Sequence, residues 1–112
     1  MSLFEKLISR ELPADILFED DEVFAFRDIA PQAPVHILII PKKPITRIGL
    51  AERSDAILLG RLLVTAAAIA RSLGVTDNGY RLVINNGPDA GEAIPHLHIH
   101  LLAGRKLTWP PG

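Results

Sequence analysis

Three of the chain's 4 histidines occupy alternate positions in the stretch His96-Leu97-His98-Ile99-His100-Leu101-Leu102. Successive side chains on a β-strand point to opposite faces. A strand here would place the three imidazoles on one face and an aliphatic row on the other, with neighbouring histidine Cα atoms about 6.5–7 Å apart. On a helix, the same side chains would scatter around the axis. The stretch therefore predicts a strand that carries a cluster of imidazoles.

Such a row of histidines has several possible uses. It could form the polar face of an amphipathic strand, although Lys, Thr or Glu would serve as well there. Imidazole is the commonest metal ligand, and two alternate histidines can both bind zinc. A neutral imidazole can also act as a nucleophile. The chain has no cysteine that could complete a zinc site, but the motif alone leaves metal binding and catalysis open.

Length and charge narrow the possible functions. A chain of 112 residues is expected to form one domain, spanning residues 1–112. Its net charge is −1 and its Lys and Arg residues do not cluster, which argues against a nucleic-acid partner. The first residues lack the apolar run of a signal peptide, and no segment approaches the ~18–20 apolar residues of a membrane span. We expect a cytoplasmic protein with no membrane partner.

The hydrophobic pattern predicts an alternation of helices and strands. Ser2 and Glu5 have the spacing of a capping box, and Gly74 is placed to end a long helix. Residues 35–40 are almost wholly apolar, as in a central strand that is covered on both faces. The predicted helices cover residues 2–11 and 54–73, and the predicted strands cover residues 16–19, 23–26, 35–40, 80–85 and 96–102.

The predicted long helix is too apolar to lie on the surface of a monomer. Its apolar side chains cover much more than one stripe, so it should be buried on two sides. One side can pack on the sheet of its own chain, and the other implies a partner, most simply a copy related by a twofold axis. The side chains concerned are Leu58, Leu59, Leu62, Leu63, Val64 and Ile69.

Four segments together resemble the histidine triad superfamily, and most closely its Hint branch of nucleotide-binding phosphoramidate hydrolases. They are Phe26–His36, Asn85–Pro95, the triad at 96–102 and the tail Trp109–Gly112. The resemblance covers nearly the whole chain. It implies an α+β fold: an antiparallel sheet of about five strands with one long and one short helix, continued across the twofold axis of a homodimer. It also implies a purine nucleotide substrate, with no cofactor and no metal.

The resemblance also implies a role for each site residue. His98 is expected to attack the α-phosphorus, His100 to contact the phosphate, and His96 and His36 to support them. Asp28 is expected to bind the ribose, since a carboxylate can accept hydrogen bonds from both hydroxyls. The other expected nucleotide-binding residues are Leu3, Phe4 and Leu7 around the base, Asn85, Gly91, Glu92 and Ala93 near the ribose or phosphate, and Phe26 and Ile29. Simple packing is the alternative for the helix residues.

Some positions depart from the family pattern. The family often has Gln and then Ser where this chain has Glu92 and Ala93. Ala93 can offer only its backbone N–H, so assistance to the leaving group and substrate preference stay open. The tail, residues 105–112, is expected to reach the partner subunit and to place Trp109 near the partner's leaving-group pocket.

Two rival functions remain beside phosphoramidate hydrolysis. One is dinucleoside polyphosphate hydrolysis, as in the Fhit-like branch. Two features argue against this function: the Asp-Ile-x-Pro-Gln-Ala-Pro loop and the Trp-Pro tail. The other is a nucleotide-binding interaction module with vestigial activity, which the sequence does not separate from an enzyme.

Overall fold

The computed structural model describes residues 2–112 and contains one antiparallel sheet of five strands. In spatial order the strands are β1, β2, β3, β5 and β4. The strands are β1 (Ile16–Glu19), β2 (Val23–Arg27), β3 (Val35–Pro41), β4 (Tyr80–Val83) and β5 (Ile99–Ala103); the helices are α1 (Leu3–Ile8) and α2 (Ala56–Ser72), with three short 3-10 turns between elements. The predicted α+β fold class is confirmed.

Local signals explain where the helices begin and end. The Ser2 side chain accepts a hydrogen bond from the Glu5 N–H (3.2 Å), and the Glu5 carboxylate accepts one from the Ser2 N–H (3.1 Å), so the capping box forms. Helix α1 stops at Ile8, earlier than predicted, and Arg10 just beyond it has a positive φ of 69°. A 3-10 turn at Arg53–Asp55 precedes α2, and a left-handed Gly74 follows it.

The two faces of the sheet are covered by different helices. Alternate residues of β2 and β3 point to opposite sides, so each strand contributes to two hydrophobic clusters. On one side Val23, Ala25, Ile37 and Ile39 pack with the buried face of α2. On the other side the α1 residues Phe4 and Leu7 pack with Phe24, Phe26, Leu38 and Ile40. The prediction of a central strand covered on both faces is confirmed.

The prediction of a strand over the whole triad is wrong at its start, because β5 begins only at Ile99. Pro95 has no N–H to donate to a sheet ladder. The chain leading into β5 is instead held by a hydrogen bond from the Leu97 N–H to the Ile45 carbonyl (2.7 Å). Only His100 therefore lies within the strand, and β4 likewise ends at Val83 rather than at residue 85.

The outward surface of α2 carries large exposed apolar side chains beside the ion-paired Arg61. Ile57 is 81% exposed, Val64 67% and Leu63 46%. Large apolar side chains grouped on one surface usually mark an interface. Among residues 2–112, no helix is long and apolar enough to cross a membrane.

Candidate functional site

His36, His98 and His100 form one cluster where β3 meets β5. The ring centroids of His98 and His100 are 4.9 Å apart, and those of His36 and His100 are 5.2 Å apart. In the ladder, Leu38 pairs with His100 and Leu102 pairs with His36, which makes the two strand histidines diagonal neighbours on one face. The imidazole cluster predicted from the sequence is therefore present, although His98 enters it from the approach to β5.

The ring of His98 is held in a defined tautomer. Its Nδ1 lies 2.7 Å from the backbone carbonyl oxygen of His96. A carbonyl oxygen can only accept, so Nδ1 must carry the proton and donate it. Nε2 of the neutral ring then has a free lone pair. This is the state that a nucleophilic imidazole requires, and the ring is only 8% exposed.

A second chain of hydrogen bonds fixes His36 and His100. The Gln32 N–H donates to Nδ1 of His36 (3.0 Å), so His36 must carry its own proton on Nε2. That nitrogen lies 2.9 Å from Nδ1 of His100 and donates to it. In neutral His100 the remaining proton is on Nε2, which makes this nitrogen a hydrogen-bond donor. The peptide of Gln32 therefore sets the tautomers of two imidazoles.

Burial keeps these two imidazoles neutral. Burial lowers the pKa of His36 below its usual 6.5, while the nearby Asp28 carboxylate opposes the shift. Burial, reinforced by the neighbouring His98 and His36 rings, lowers the pKa of His100 to about 4. At neutral pH His100 can therefore donate one hydrogen bond from Nε2 without carrying a positive charge.

The His96 ring packs edge-on against Phe4, as the His98 ring does, but its hydrogen bond leads to β3 rather than to the other histidines. Its Nε2 donates to the Pro41 carbonyl at the end of β3 (2.8 Å). The side chain is 1% exposed. The ring thus ties the segment before β5 to the end of β3, and its backbone carbonyl orients His98. The supporting role expected for His96 stays a prediction.

Asp28, His36 and His100 could in principle share a metal ion, since one ligand atom from each lies within 4.8 Å of the others. The hydrogen-bond pattern does not suit a metal. Nε2 of His36 carries a proton, and Nδ1 of His100 accepts it, so neither nitrogen has a lone pair to offer. Metal binding would require His36 to move its proton to Nδ1, where the Gln32 N–H already donates.

A pocket of about 430 Å³ lies beside the histidines, between α1 and the sheet. This volume falls in the range of small-molecule sites, about 300–1,000 Å³. Phe4 separates the pocket from the triad, with its ring centroid 5.1 Å from that of His98. Asp28 is the acidic residue of the lining. The lining residues are Leu3, Phe4, Leu7, Leu12, Pro13, Ala14, Phe26, Arg27, Asp28, Ile29, Leu38 and Ile94.

The structure brings six of the predicted nucleotide-binding residues to this one pocket: Leu3, Phe4, Leu7, Phe26, Asp28 and Ile29. Phe4 and Leu7 are also buried in the core, so packing and pocket lining apply to the same side chains. One carboxylate oxygen of Asp28 accepts the Ala30 N–H (2.8 Å), and the other lies 3.5 Å from Nε2 of His36. The carboxylate therefore lies between the pocket and the histidine cluster.

The loop before the triad contains an ion pair that the sequence did not predict. Ala93 and Gly91 are exposed, but the Glu92 side chain turns inward to an ion pair with Arg47. The Arg47 guanidinium and the Gly87 N–H lower the pKa of Glu92 to about 2.

Asn85 lies half-buried two residues beyond Val83, which pairs with His100. Trp109 is 82% exposed and so does not pack on its own chain.

Sequence reasoning missed two residues of this site, Gln32 and Arg47. Gln32 acts through its backbone N–H, which residue type does not reveal, although its place between two prolines was visible. Its carbonyl also accepts a hydrogen bond from Arg105 at the start of the tail (3.0 Å). Arg47 is 45 positions from Glu92, and no local pattern links them.

We expect the His100 ring to titrate near pH 4 in a histidine NMR titration, well below the ordinary 6.5. Since the unfolded chain binds this proton at higher pH than the folded chain, the free energy of unfolding should fall as pH decreases from 6.5 towards 4. Asp28 opposes the shift, so Asp28→Asn should lower the His100 pKa further. A His100 midpoint near 6.5 would contradict the buried, neutral ring.

Three comparisons identify relatives of this chain. A family model described as the HIT domain matches residues 9–107. An uncharacterized HIT-like protein of Synechococcus elongatus is 59% identical over 111 residues, covering 99% of this chain and 96% of the relative. An Arabidopsis thaliana protein named adenylylsulfatase HINT1 is 49% identical over 113 residues, covering 99% of this chain and 76% of the relative. The crystal structure of a HIT family hydrolase from Legionella pneumophila Philadelphia 1 has 47% identity and a TM-score of 0.97, with both chains fully covered.

Proposed function

Because this chain belongs to the HIT family, we propose that it hydrolyses purine nucleoside 5′-phosphoramidates, and the related acyl-adenylates, to the nucleoside monophosphate. The observation that carries this proposal is the hydrogen bond from His98 Nδ1 to the His96 carbonyl. It leaves Nε2 with a free lone pair, next to a second imidazole that presents an N–H donor. These are the two groups that nucleophilic attack on a phosphate ester or amide requires.

The reaction proceeds in two displacements at the α-phosphorus. In the first, Nε2 of His98 forms a bond to phosphorus and the bond from phosphorus to the amine nitrogen breaks. The amine leaves with a proton from solvent. In the second, water attacks the same phosphorus and releases a proton to solvent, the phosphorus–Nε2 bond breaks with its electron pair returning to His98, and the nucleoside monophosphate departs. Nε2–H of His100 donates to a phosphate oxygen and stabilises the charge that develops on it.

The pocket beside Phe4 supplies the nucleoside subsite in this proposal. A purine is flat and largely apolar, and the lining combines aromatic and aliphatic side chains from α1 and β2. The Asp28 carboxylate is placed to accept hydrogen bonds from the ribose hydroxyls. Asn85, Gly91 and Ala93 belong to the segments proposed to contact the ribose or phosphate, with the exposed Ala93 offering its backbone N–H.

Mixed anhydrides of adenylate fit the same chemistry. A sulfate or carboxylate leaving group needs no protonation, so the absence of a serine hydroxyl at Ala93 would cost such substrates least. The name adenylylsulfatase, carried by the Arabidopsis relative, denotes cleavage of a compound of this class. We therefore include adenylyl sulfate with the acyl-adenylates as a candidate substrate.

The proposal includes a cytoplasmic homodimer. The exposed apolar side chains of α2 give a surface that a second copy could cover. Strand β4 is at one edge of the sheet, and an edge strand can pair with a strand of another chain. Two copies related by a twofold axis could use both features at once.

The test is a comparison of substrates on the purified protein. An adenosine phosphoramidate with a fluorogenic amine, adenylyl sulfate and diadenosine polyphosphates should be assayed side by side, each with and without exhaustive chelation. We expect turnover of the first two, slow turnover of the polyphosphates, and no effect of chelation. Preference for the polyphosphates would favour the dinucleoside polyphosphate hydrolase. Binding without turnover would favour the interaction module, and loss of activity restored by zinc would favour a metal site.

A prediction for the tail follows from its anchors. Arg105 donates to the Gln32 carbonyl and Arg81 donates to the Thr108 carbonyl (2.9 Å), so deletion of Trp109–Gly112 removes neither contact. We expect the truncated protein to fold, dimerise and bind mononucleotide normally. Its order of preference among substrates that differ only in the amine should differ from that of the full chain. The reason is that the exposed indole would contact the leaving group of a substrate bound at the partner subunit's site.

The matched control is Trp109→Ala, which removes the indole alone. This change should alter the free energy of unfolding by less than about 0.5 kcal/mol, as for other exposed positions. It should reproduce the altered ranking of amines. An unchanged ranking in both variants would show that the tail does not contribute to the site.

A further inference from the structure

An ion pair between Arg47 and Glu92 holds the loop that leads into the triad. Nε and Nη2 of Arg47 are each 2.9 Å from a different carboxylate oxygen of Glu92, which is the two-pronged geometry of a strong pair. The Glu92 side chain is 11% exposed and that of Arg47 is 34% exposed. A pair that is shielded from water to this extent is little weakened by salt.

Glu92 also closes the loop that precedes the triad. Its Oε1 accepts a hydrogen bond from the Gly87 N–H (3.1 Å), and its own N–H donates to the Gly87 carbonyl (3.2 Å). The first and last residues of the six-residue segment from Gly87 to Glu92 are thus hydrogen-bonded to each other. A carboxylate at this position shapes the loop that leads to Ala93 and the histidines.

This carboxylate creates an electrostatic problem for the proposed substrate. Glu92 lies in the loop that leads into the triad, six residues before His98, and a charge on the His98 imidazole lowers the pKa of Glu92. The α-phosphate must come within bonding distance of His98, so an isolated negative charge on Glu92 would repel it. Unit charges separated by several ångströms in a half-buried site interact strongly enough to change affinity about tenfold.

We propose that Arg47 is a specificity-determining residue that neutralises Glu92, so that a carboxylate can close the loop without repelling an anionic substrate. The proposal rests on the nucleotidyl-hydrolase function proposed above. It assigns the two members of the pair opposite effects on an anionic ligand: Arg47 favours its binding and Glu92 disfavours it. A purely structural pair would behave differently, because loss of either member would then weaken binding.

The test compares AMP with adenosine, which lacks the phosphate, in calorimetric titrations of three variants. Arg47→Gln should weaken AMP binding about tenfold and leave adenosine binding unchanged. Glu92→Gln keeps an amide oxygen for the Gly87 N–H and frees the guanidinium, so it should tighten AMP binding a few-fold. The double variant should return AMP affinity to within about threefold of the original. Thermal unfolding would check that each variant is folded.

Arg61→Gln is the matched control. Arg61 also pairs with carboxylates, those of Asp20 and Glu22, but on the surface of α2. Its loss should change the affinity for neither ligand. If Glu92→Gln weakens AMP binding as Arg47→Gln does, or if Arg47→Gln weakens adenosine binding equally, the pair is structural and the inference is overturned. If the unaltered protein binds neither AMP nor adenosine, the proposed function itself fails.

Discussion

His98→Ala should abolish turnover, lowering kcat by about 10⁴-fold or more, because the variant has no atom that can form the covalent intermediate. Mononucleotide affinity should stay within about tenfold, since the pocket beside Phe4 and the Asp28 carboxylate are untouched. Rapid-quench labelling of the unaltered protein with a substrate radiolabelled at the α-phosphate should place the label on His98. Label on another residue would overturn the assignment.

His96→Gln provides the matched control within the same motif. His96 donates from Nε2 to the Pro41 carbonyl, and a glutamine amide can donate to the same oxygen. The His96 backbone carbonyl that orients His98 is retained in this variant. We therefore expect a smaller loss of activity and a label that still appears on His98. Loss of labelling in His96→Gln, with the fold intact, would mean that the His96 ring takes part in the chemistry.

Phe4→Ala should have the largest effect on stability among the site residues, lowering the free energy of unfolding by about 3–5 kcal/mol. The ring is 1% exposed and contacts Phe26, His96 and His98 at centroid distances of 5.6, 5.8 and 5.1 Å. Phe4→Leu should cost about 1 kcal/mol, because it keeps most of the buried volume. Urea denaturation of the three proteins measures these differences.

The same position should also affect ligand binding, and a neighbouring residue separates the two effects. Leu3 is on the same helix and lines the same pocket, but it is 44% exposed. Leu3→Ala should therefore weaken purine nucleotide binding with little change in stability. If Phe4→Leu and Leu3→Ala both bind nucleotide as the unaltered protein does, the pocket is not the base subsite.

Much of the fold was predictable because its signals are local. The Ser2–Glu5 capping box, the glycine after α2 and the apolar run that became β3 each depend on a few consecutive residues. The alternation of histidines also survives, since His96 and His98 both pack against Phe4 and His98 contacts His100. The six expected nucleotide-binding residues that line a single pocket came from the resemblance to the family, and local signals only placed them on α1, β2 and the turn that follows β2.

The features that were not predictable depend on contacts between distant parts of the chain. Strand β5 starts late because the Pro41 carbonyl binds the His96 side chain and the Ile45 carbonyl binds the Leu97 N–H. Periodicity cannot reveal which carbonyls a neighbouring strand will present. The Arg47–Glu92 pair joins two loops, and Gln32 acts through a backbone group that every residue except proline has. Tertiary structure alone brings these groups to the histidines.

The hydrogen bond from the Gln32 N–H to His36 has a consequence for proton transfer to and from His100. A peptide nitrogen does not release its proton at physiological pH, so the chain from Gln32 through His36 to His100 is closed at its inner end. Protons cannot pass through the protein to His100 by this route. Nε2, the nitrogen proposed to contact the substrate, is then the atom through which His100 exchanges a proton. In the proposed complex, a phosphate that covers Nε2 isolates His100 from bulk acid and base, so that His100 functions as a fixed dipole rather than a proton shuttle.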